Sequence, residues 1–153
     1  MSTLPIIQMF TSYLGDERHF SPYTARCYGA DLRQYLEYLT KEFAIKAGEE
    51  QEKSATNKVT EQARSGQRPT VSGADFHPTN LTDAVGQASA DVIRGFLSHL
   101  GESQYSAATM ARKIATLRSF YKWADRRGLS AGNPMTLIRT PRQGKRLPKA
   151  ITI

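Results

Sequence analysis

One stretch constrains this chain more than any other: residues 106–128, SAATMARKIATLRSFYKWADRRG. Met110, Ile114, Leu117, Tyr121 and Ala124 recur there at the 3-4-3-4 spacing of one helical face. Ser106 precedes them as an N-cap, able to accept a hydrogen bond from a first-turn amide, and Gly128 can close the helix in the left-handed conformation. A helix with so continuous an apolar stripe needs other apolar elements to cover it. Its opposite face carries Arg112, Thr116, Ser119 and Arg126, with Lys113 and Lys122 on the flanks and no acid before Asp125. An ordinary solvated face mixes both signs. One that is nearly all positive, with small hydroxyls between the bases, suits close approach to a phosphate backbone.

The charge of the whole chain points the same way. Net charge is +7 over 153 residues, but residues 109–153 hold eleven Lys/Arg against one acid, leaving the first 108 residues at −3. A basic final third on a slightly acidic remainder calls for a polyanionic partner. An anionic membrane surface fits less well, because the apolar stripe that would insert is needed for a core. No run of residues is long and apolar enough for a membrane span, and the N-terminus lacks the pattern of a signal peptide. The single cysteine, Cys27, excludes an internal disulfide and any multi-cysteine metal site, and favours a reduced, cytoplasmic setting.

Three further helices are expected. Residues 3–15 place Ile6, Ile7, Phe10, Tyr13 and Leu14 on one face. A second helix runs from Ser21, an N-cap followed by Pro22, to about Phe43, with Tyr28, Leu32, Tyr35, Leu36 and Leu39 as its buried stripe. Residues 89–101 bring Val92, Ile93, Phe96, Leu97 and Leu100 to a broad apolar face, and the helix of residues 106–128 is the fourth. Between the second and third, residues 46–80 hold only Val59, Val71 and Phe76 as large apolar side chains. They are read as a mostly disordered, mobile insertion, with at most a transient helix through Ala55, Val59 and Ala63. Asn133-Pro134 starts a short helix, and residues 139–149, RTPRQGKRLPK, read as an extended basic linker. No strand pattern, internal repeat or heptad is present, so the fold class is all-α.

Catalytic chemistry is hard to build from these residues. Tyr13, Tyr28, Tyr35 and Tyr121 lie on apolar faces, Tyr23 and Tyr105 near helix starts, and Tyr38 flanks the core. A tyrosine that attacks phosphate needs several cationic donors around the phosphoryl group and an acid for the leaving oxygen. His19, His77 and His99 are scattered and, with one cysteine, form no zinc spacing. Gly86, Gly95 and Gly101 form no phosphate-binding loop. No catalytic residue, metal, cofactor or small-molecule substrate is expected.

The order of these pieces carries a resemblance. S-P-Y-T-A-R-C-Y-G-A-D-L-R-Q-Y-L in the second helix is followed by S-A-A-T-M-A-R-K-I-A-T-L-R-S-F-Y-K-W-A in the fourth, then G-L-S-A-G-N-P-M-T-L-I and P-R-Q-G-K-R-L-P-K. The set closely resembles the N-terminal core-binding domain of tyrosine recombinases, the phage integrase and Xer-type family, over residues 3–43 and 89–149. The resemblance implies a four-helix, SAM-like domain over residues 1–138. It also implies a basic linker, 139–153, leading to a catalytic domain absent from this chain, which looks cut at a domain boundary. It further implies one half of a clamp around double-stranded DNA, other recombinase subunits as partners on that DNA, and a role in DNA recombination and integration. Carried onto this sequence, the DNA contacts fall on Tyr23, Thr24 and Arg26, with Cys27 beside them, and on Thr109, Arg112, Lys113 and Thr116. The basic pattern adds Arg33, Ser119, Lys122 and the linker's Arg139, Arg142, Lys145 and Arg146. Two alternatives remain open: a helix-turn-helix transcription regulator, and a SAM-like protein-interaction module without DNA binding. The insertion is longer than the family usually shows.

Overall fold

The computed structural model describes residues 4–71 and 76–139. The helices are α1 (Pro5–Asp16), α2 (Pro22–Glu42), α3 (Glu49–Arg64), α4 (Leu81–Gly86), α5 (Ala90–Gly101) and α6 (Ala107–Arg126), followed by a 3-10 helix, Pro134–Leu137. Among the described residues there is no strand, in keeping with an all-α, SAM-like domain.

The local signals act as their chemistry dictates. Ser21 and Ser106 are built alike. Each Oγ accepts from the amide three residues on (Thr24 and Thr109, both 3.1 Å) and donates to that threonine's hydroxyl (2.9 and 3.0 Å). At the far end of α6, Gly128 has φ +73°, the Gly128 amide bonds Asp125 O and the Leu129 amide bonds Ala124 O. A side chain at residue 128 would be strained there and would also meet Ala63 Cβ at 3.3 Å.

The apolar stripes converge on two aromatic clusters. Phe10 has no solvent exposure. Its ring meets Phe120 edge-on at 5.3 Å, Trp123 at 5.5 Å, Tyr13 at 6.2 Å and Tyr28 at 6.3 Å. The second cluster joins Tyr35 and Tyr38 of α2 to Phe96 of α5 and to Tyr121 of α6. Leu32, Leu100, Ile114 and Leu117 complete the buried core, whereas Tyr28 is half-buried at its edge.

The expectation of a mostly disordered insertion is corrected. Residues 46–80 carry α3, four turns long, and it docks by burying polar groups together with Val59, which joins the core. Glu52, Thr56 and Val59 are its buried residues. The Glu52 carboxylate accepts from the Leu81 amide at 2.7 Å, the Thr82 amide at 3.0 Å and the Thr82 hydroxyl at 2.8 Å. Asn80 Oδ1 accepts from the Asp83 amide at 2.7 Å. The first three amides of α4, which no intrahelical carbonyl can serve, are therefore all capped, two of them by a residue from another helix. Because Thr82 spends its proton on Glu52, the 3.2 Å Thr56–Thr82 hydroxyl contact runs with Thr56 as donor. Past α3, Arg68 donates to Asp125 Oδ1 (2.8 Å), Asp125 O (2.8 Å) and Ser130 O (3.2 Å). Phe76 packs edge-on against Phe43 at 4.8 Å. The expected four helices are thus joined by α3 and the short α4.

A buried hydroxyl relay crosses the core. Tyr121 Oη donates to Val85 O at 2.9 Å, so in the 2.8 Å pair between Tyr35 and Tyr121 it is Tyr35 that donates. Burial pushes both hydroxyls well above the ordinary value of 10.0. Tyr121→Phe strands the Tyr35 proton and the Val85 carbonyl, and is expected to cost about 1–3 kcal/mol in urea unfolding. Tyr35→Phe leaves the Tyr121–Val85 bond intact and should cost less, ~0.5–1.5 kcal/mol. The folded state holds these protons more tightly than the unfolded chain. Their contribution is therefore full below about pH 10, the unfolded value, and is lost as pH rises through the higher folded values. Equal costs for the two variants, or a stability that rises above pH 10, would contradict the relay.

Candidate nucleic-acid interface

The helical period places Tyr23, Arg26, Ala30 and Arg33 along the solvent side of α2, and all four are exposed. On α6 the corresponding stripe is Ala108, Arg112, Ala115, Ser119, Lys122 and Arg126, all exposed except the half-buried Ser119. Arg26, Arg33, Lys122 and Arg126 enter no ion pair with any described residue. Thr24 and Thr109 are half-buried in the first turns, where their hydroxyls accept from the capping serines and keep their own protons free to donate. Arg139 is exposed beyond the 3-10 helix, beside Arg94 and the exposed Leu137. Arg142, Lys145 and Arg146 lie outside the described residues.

Two members of the expected contact face are not on it. Thr116 is only 1% exposed and Lys113 only 8%. Both turn into the seam between α2 and α6, where they meet Asp31, itself 7% exposed. Asp31 Oδ1 accepts from Arg112 Nη2 at 3.0 Å and from Lys113 Nζ at 3.1 Å, and Oδ2 accepts from Thr116 Oγ1 at 2.9 Å. Lys113 also donates to Gln34 Oε1 at 2.7 Å and lies 5.0 Å from the centre of the Tyr105 ring. Gln34 Nε2 donates to Tyr105 Oη at 2.9 Å, which closes the network. Lys113 and Thr116 therefore hold the two helices together, and a phosphate cannot reach them without breaking this seam. Arg112 is shared: one of its nitrogens is on Asp31, yet its side chain is 57% exposed.

Asp31, Gln34 and Tyr105 are the residues that sequence reasoning missed. A signal was present: Asp31 is a lone acid between Arg26 and Arg33, on the edge of α2 that adjoins its basic stripe. Among the described residues no group of three His, Cys, Asp or Glu side chains is placed to hold a metal ion. Among the same residues no helix is long and apolar enough to cross a membrane.

Residues 76–128 match the family model described as phage integrase, N-terminal SAM-like domain. Tyrosine recombinase XerC of Rhizobium meliloti (strain 1021) is 30% identical over 139 residues, which is 91% of this chain and 33% of that protein. Tyrosine recombinase XerD of the same organism is 39% identical over 75 residues, 49% of this chain and 23% of that protein. XerD of Halalkalibacterium halodurans is 29% identical over 147 residues, 96% of this chain and 37% of that protein. No solved structure matches the chain. Over residues 76–128 the chain is therefore similar to the phage integrase N-terminal SAM-like domain, and along most of its length it is similar to Xer tyrosine recombinases. It spans only 23–37% of the length of these relatives.

Proposed function

We propose that this chain is the DNA-binding N-terminal domain of a site-specific tyrosine recombinase, one half of a clamp around duplex DNA, without a catalytic centre of its own. The observation that carries the reading is the pair of exposed basic stripes, Arg26 and Arg33 on α2 and Arg112, Lys122 and Arg126 on α6, flanking one seam. Phosphate neutralisation by such residues supplies sequence-independent affinity. The free hydroxyl protons of Thr24 and Thr109, at the positive ends of the same two helices, suit phosphate contacts that fix register. Tyr35 and Tyr121, buried and held protonated, are the reverse of activated nucleophiles. DNA cleavage and rejoining belong, in this reading, to the remainder of a longer protein, with further subunits bound on the same DNA in the cytoplasm. Arg139, with Arg142, Lys145 and Arg146 after it, continues the contact along the backbone.

Fluorescence anisotropy of the 153-residue chain on one duplex at several salt concentrations tests this. With about five phosphates neutralised, log K should fall against log salt with a slope of roughly −4 to −5. Arg33→Glu and Lys122→Glu should each weaken binding and flatten the slope by about one unit. Arg64→Glu is the control, because Arg64 is on α3 and, among the described residues, pairs only with Glu61 of the same helix, at 3.1 Å. Arg112→Glu is unsuitable, since it would set a second carboxylate against Asp31 and damage the fold. Affinity independent of salt, or equal effects of the Arg33, Lys122 and Arg64 reversals, would overturn the reading in favour of a protein-interaction module.

A further inference from the structure

We infer that Arg112 is the residue through which this domain discriminates among DNA sequences, and that Asp31 is the positioning residue that aims it. The inference rests on the DNA-binding reading above and assigns roles within it. The charges of the seam are one carboxylate and two cations. Lys113 is committed: its side chain is 10% exposed, and Asp31, Gln34 and the Tyr105 ring surround its ammonium. That ammonium offsets the buried carboxylate, so the remaining positive charge is delivered at Arg112, at the surface between the two basic stripes.

Arg112 differs in kind from its basic neighbours. Arg26, Arg33 and Lys122 are exposed and unpaired with described residues, free to follow any phosphate. Arg112 is tied by Nη2 to a carboxylate that is itself fixed by Lys113 and by Thr116, whose hydroxyl is 2.9 Å from Oδ2. A guanidinium has five donors in a rigid planar plate, and one bond at one edge leaves the others pointing outward in a fixed direction. A held, planar, two-pronged donor matches paired acceptors such as O6 and N7 of a guanine edge, whereas a point charge on a mobile stem does not. A carboxylate beside a DNA-binding surface also repels phosphate. Its burial under Arg112 is therefore unfavourable for bulk affinity and favourable for orientation.

Those two effects have opposite signs, and this separates aiming from simple helix-to-helix attachment. The test begins by selecting duplexes from a random-sequence pool with the parent chain, then measuring affinity for a selected and a scrambled duplex at one salt concentration. Asp31→Asn keeps the shape of the side chain and removes its charge. Affinity for scrambled DNA should hold or rise, while the ratio of selected to scrambled affinity falls by roughly tenfold to a hundredfold, the range one bidentate base contact supplies. Arg112→Lys, which keeps the charge and leaves Asp31 paired, should lower the ratio similarly, with affinity for the selected duplex falling more than affinity for the scrambled one. Helicity by circular dichroism at the assay temperature confirms that both variants are folded. Loss of both affinities in parallel in the folded variants, or an unchanged ratio in Arg112→Lys, overturns the assignment while leaving the DNA-binding reading in place. So does a parent chain that binds DNA but selects no sequence. A parent chain that binds no DNA overturns both.

Discussion

Replacing Glu52 by alanine is expected to destabilise the protein by about 3 kcal/mol or more, although Glu52 sits in the most polar helix of the fold. The side chain is 5% exposed and receives three hydrogen bonds, two of them from the otherwise unserved Leu81 and Thr82 amides of α4. Each bond to a charged acceptor is worth roughly 1.5–3 kcal/mol, and a buried donor left alone costs about 1–3 kcal/mol. Against a total stability of about 5–15 kcal/mol, that loss is large. Glu52→Gln retains one acceptor oxygen and should cost less. Urea unfolding gives the magnitudes, and hydrogen exchange at Leu81 and Thr82 shows where the loss falls. A Glu52→Ala protein of unchanged stability would mean that capping of the α4 amides contributes nothing to the fold.

Phe10→Ala is expected to cost about 3–5 kcal/mol, the range for a large aromatic removed from a core that cannot collapse around the gap. Phe10 is fully buried and contacts four rings, those of Tyr13, Tyr28, Phe120 and Trp123. Part of the loss is apolar burial, and part is the edge-on geometry with Phe120, of the kind that adds roughly 0.5–1.5 kcal/mol beyond area. Phe10→Leu, which refills much of the space, should recover a substantial fraction. Denaturant midpoints of the two variants measure this, and a Phe10→Ala midpoint equal to that of the parent would remove Phe10 from the centre of the core.

These two residues also mark what a single sequence discloses. Phe10 was legible, as were Leu32, Phe96, Ile114 and Tyr121, because each lies on an apolar stripe with helical period. The helices that carry them follow from local rules, as do the serine caps of α2 and α6. Glu52 was not legible. Nothing in a 3.6-residue period distinguishes a buried carboxylate from a solvated one, since the difference lies in the α4 amides 29 and 30 positions away. The interface divides along the same line. The exposure of Tyr23, Arg26, Arg33 and Lys122 could be read from one helix at a time. The burial of Lys113 and Thr116 could not, because the acid that draws them inward belongs to α2, 82 and 85 positions earlier.

The aromatic cluster around Phe10 has a kinetic consequence. Its partners Phe120 and Trp123 lie in α6, and α1 meets the end of that helix again where Arg127 reaches Glu17 across 110 positions at 3.3 Å. Closing so long a loop costs entropy before any contact rewards it. During synthesis α1 therefore emerges with the Phe10 ring met only by Tyr13 of its own helix and Tyr28 of α2. At about 5–20 residues per second, the hundred or so residues between Phe10 and Phe120 leave the rest of that ring uncovered for roughly 5–20 seconds, until α6 is available.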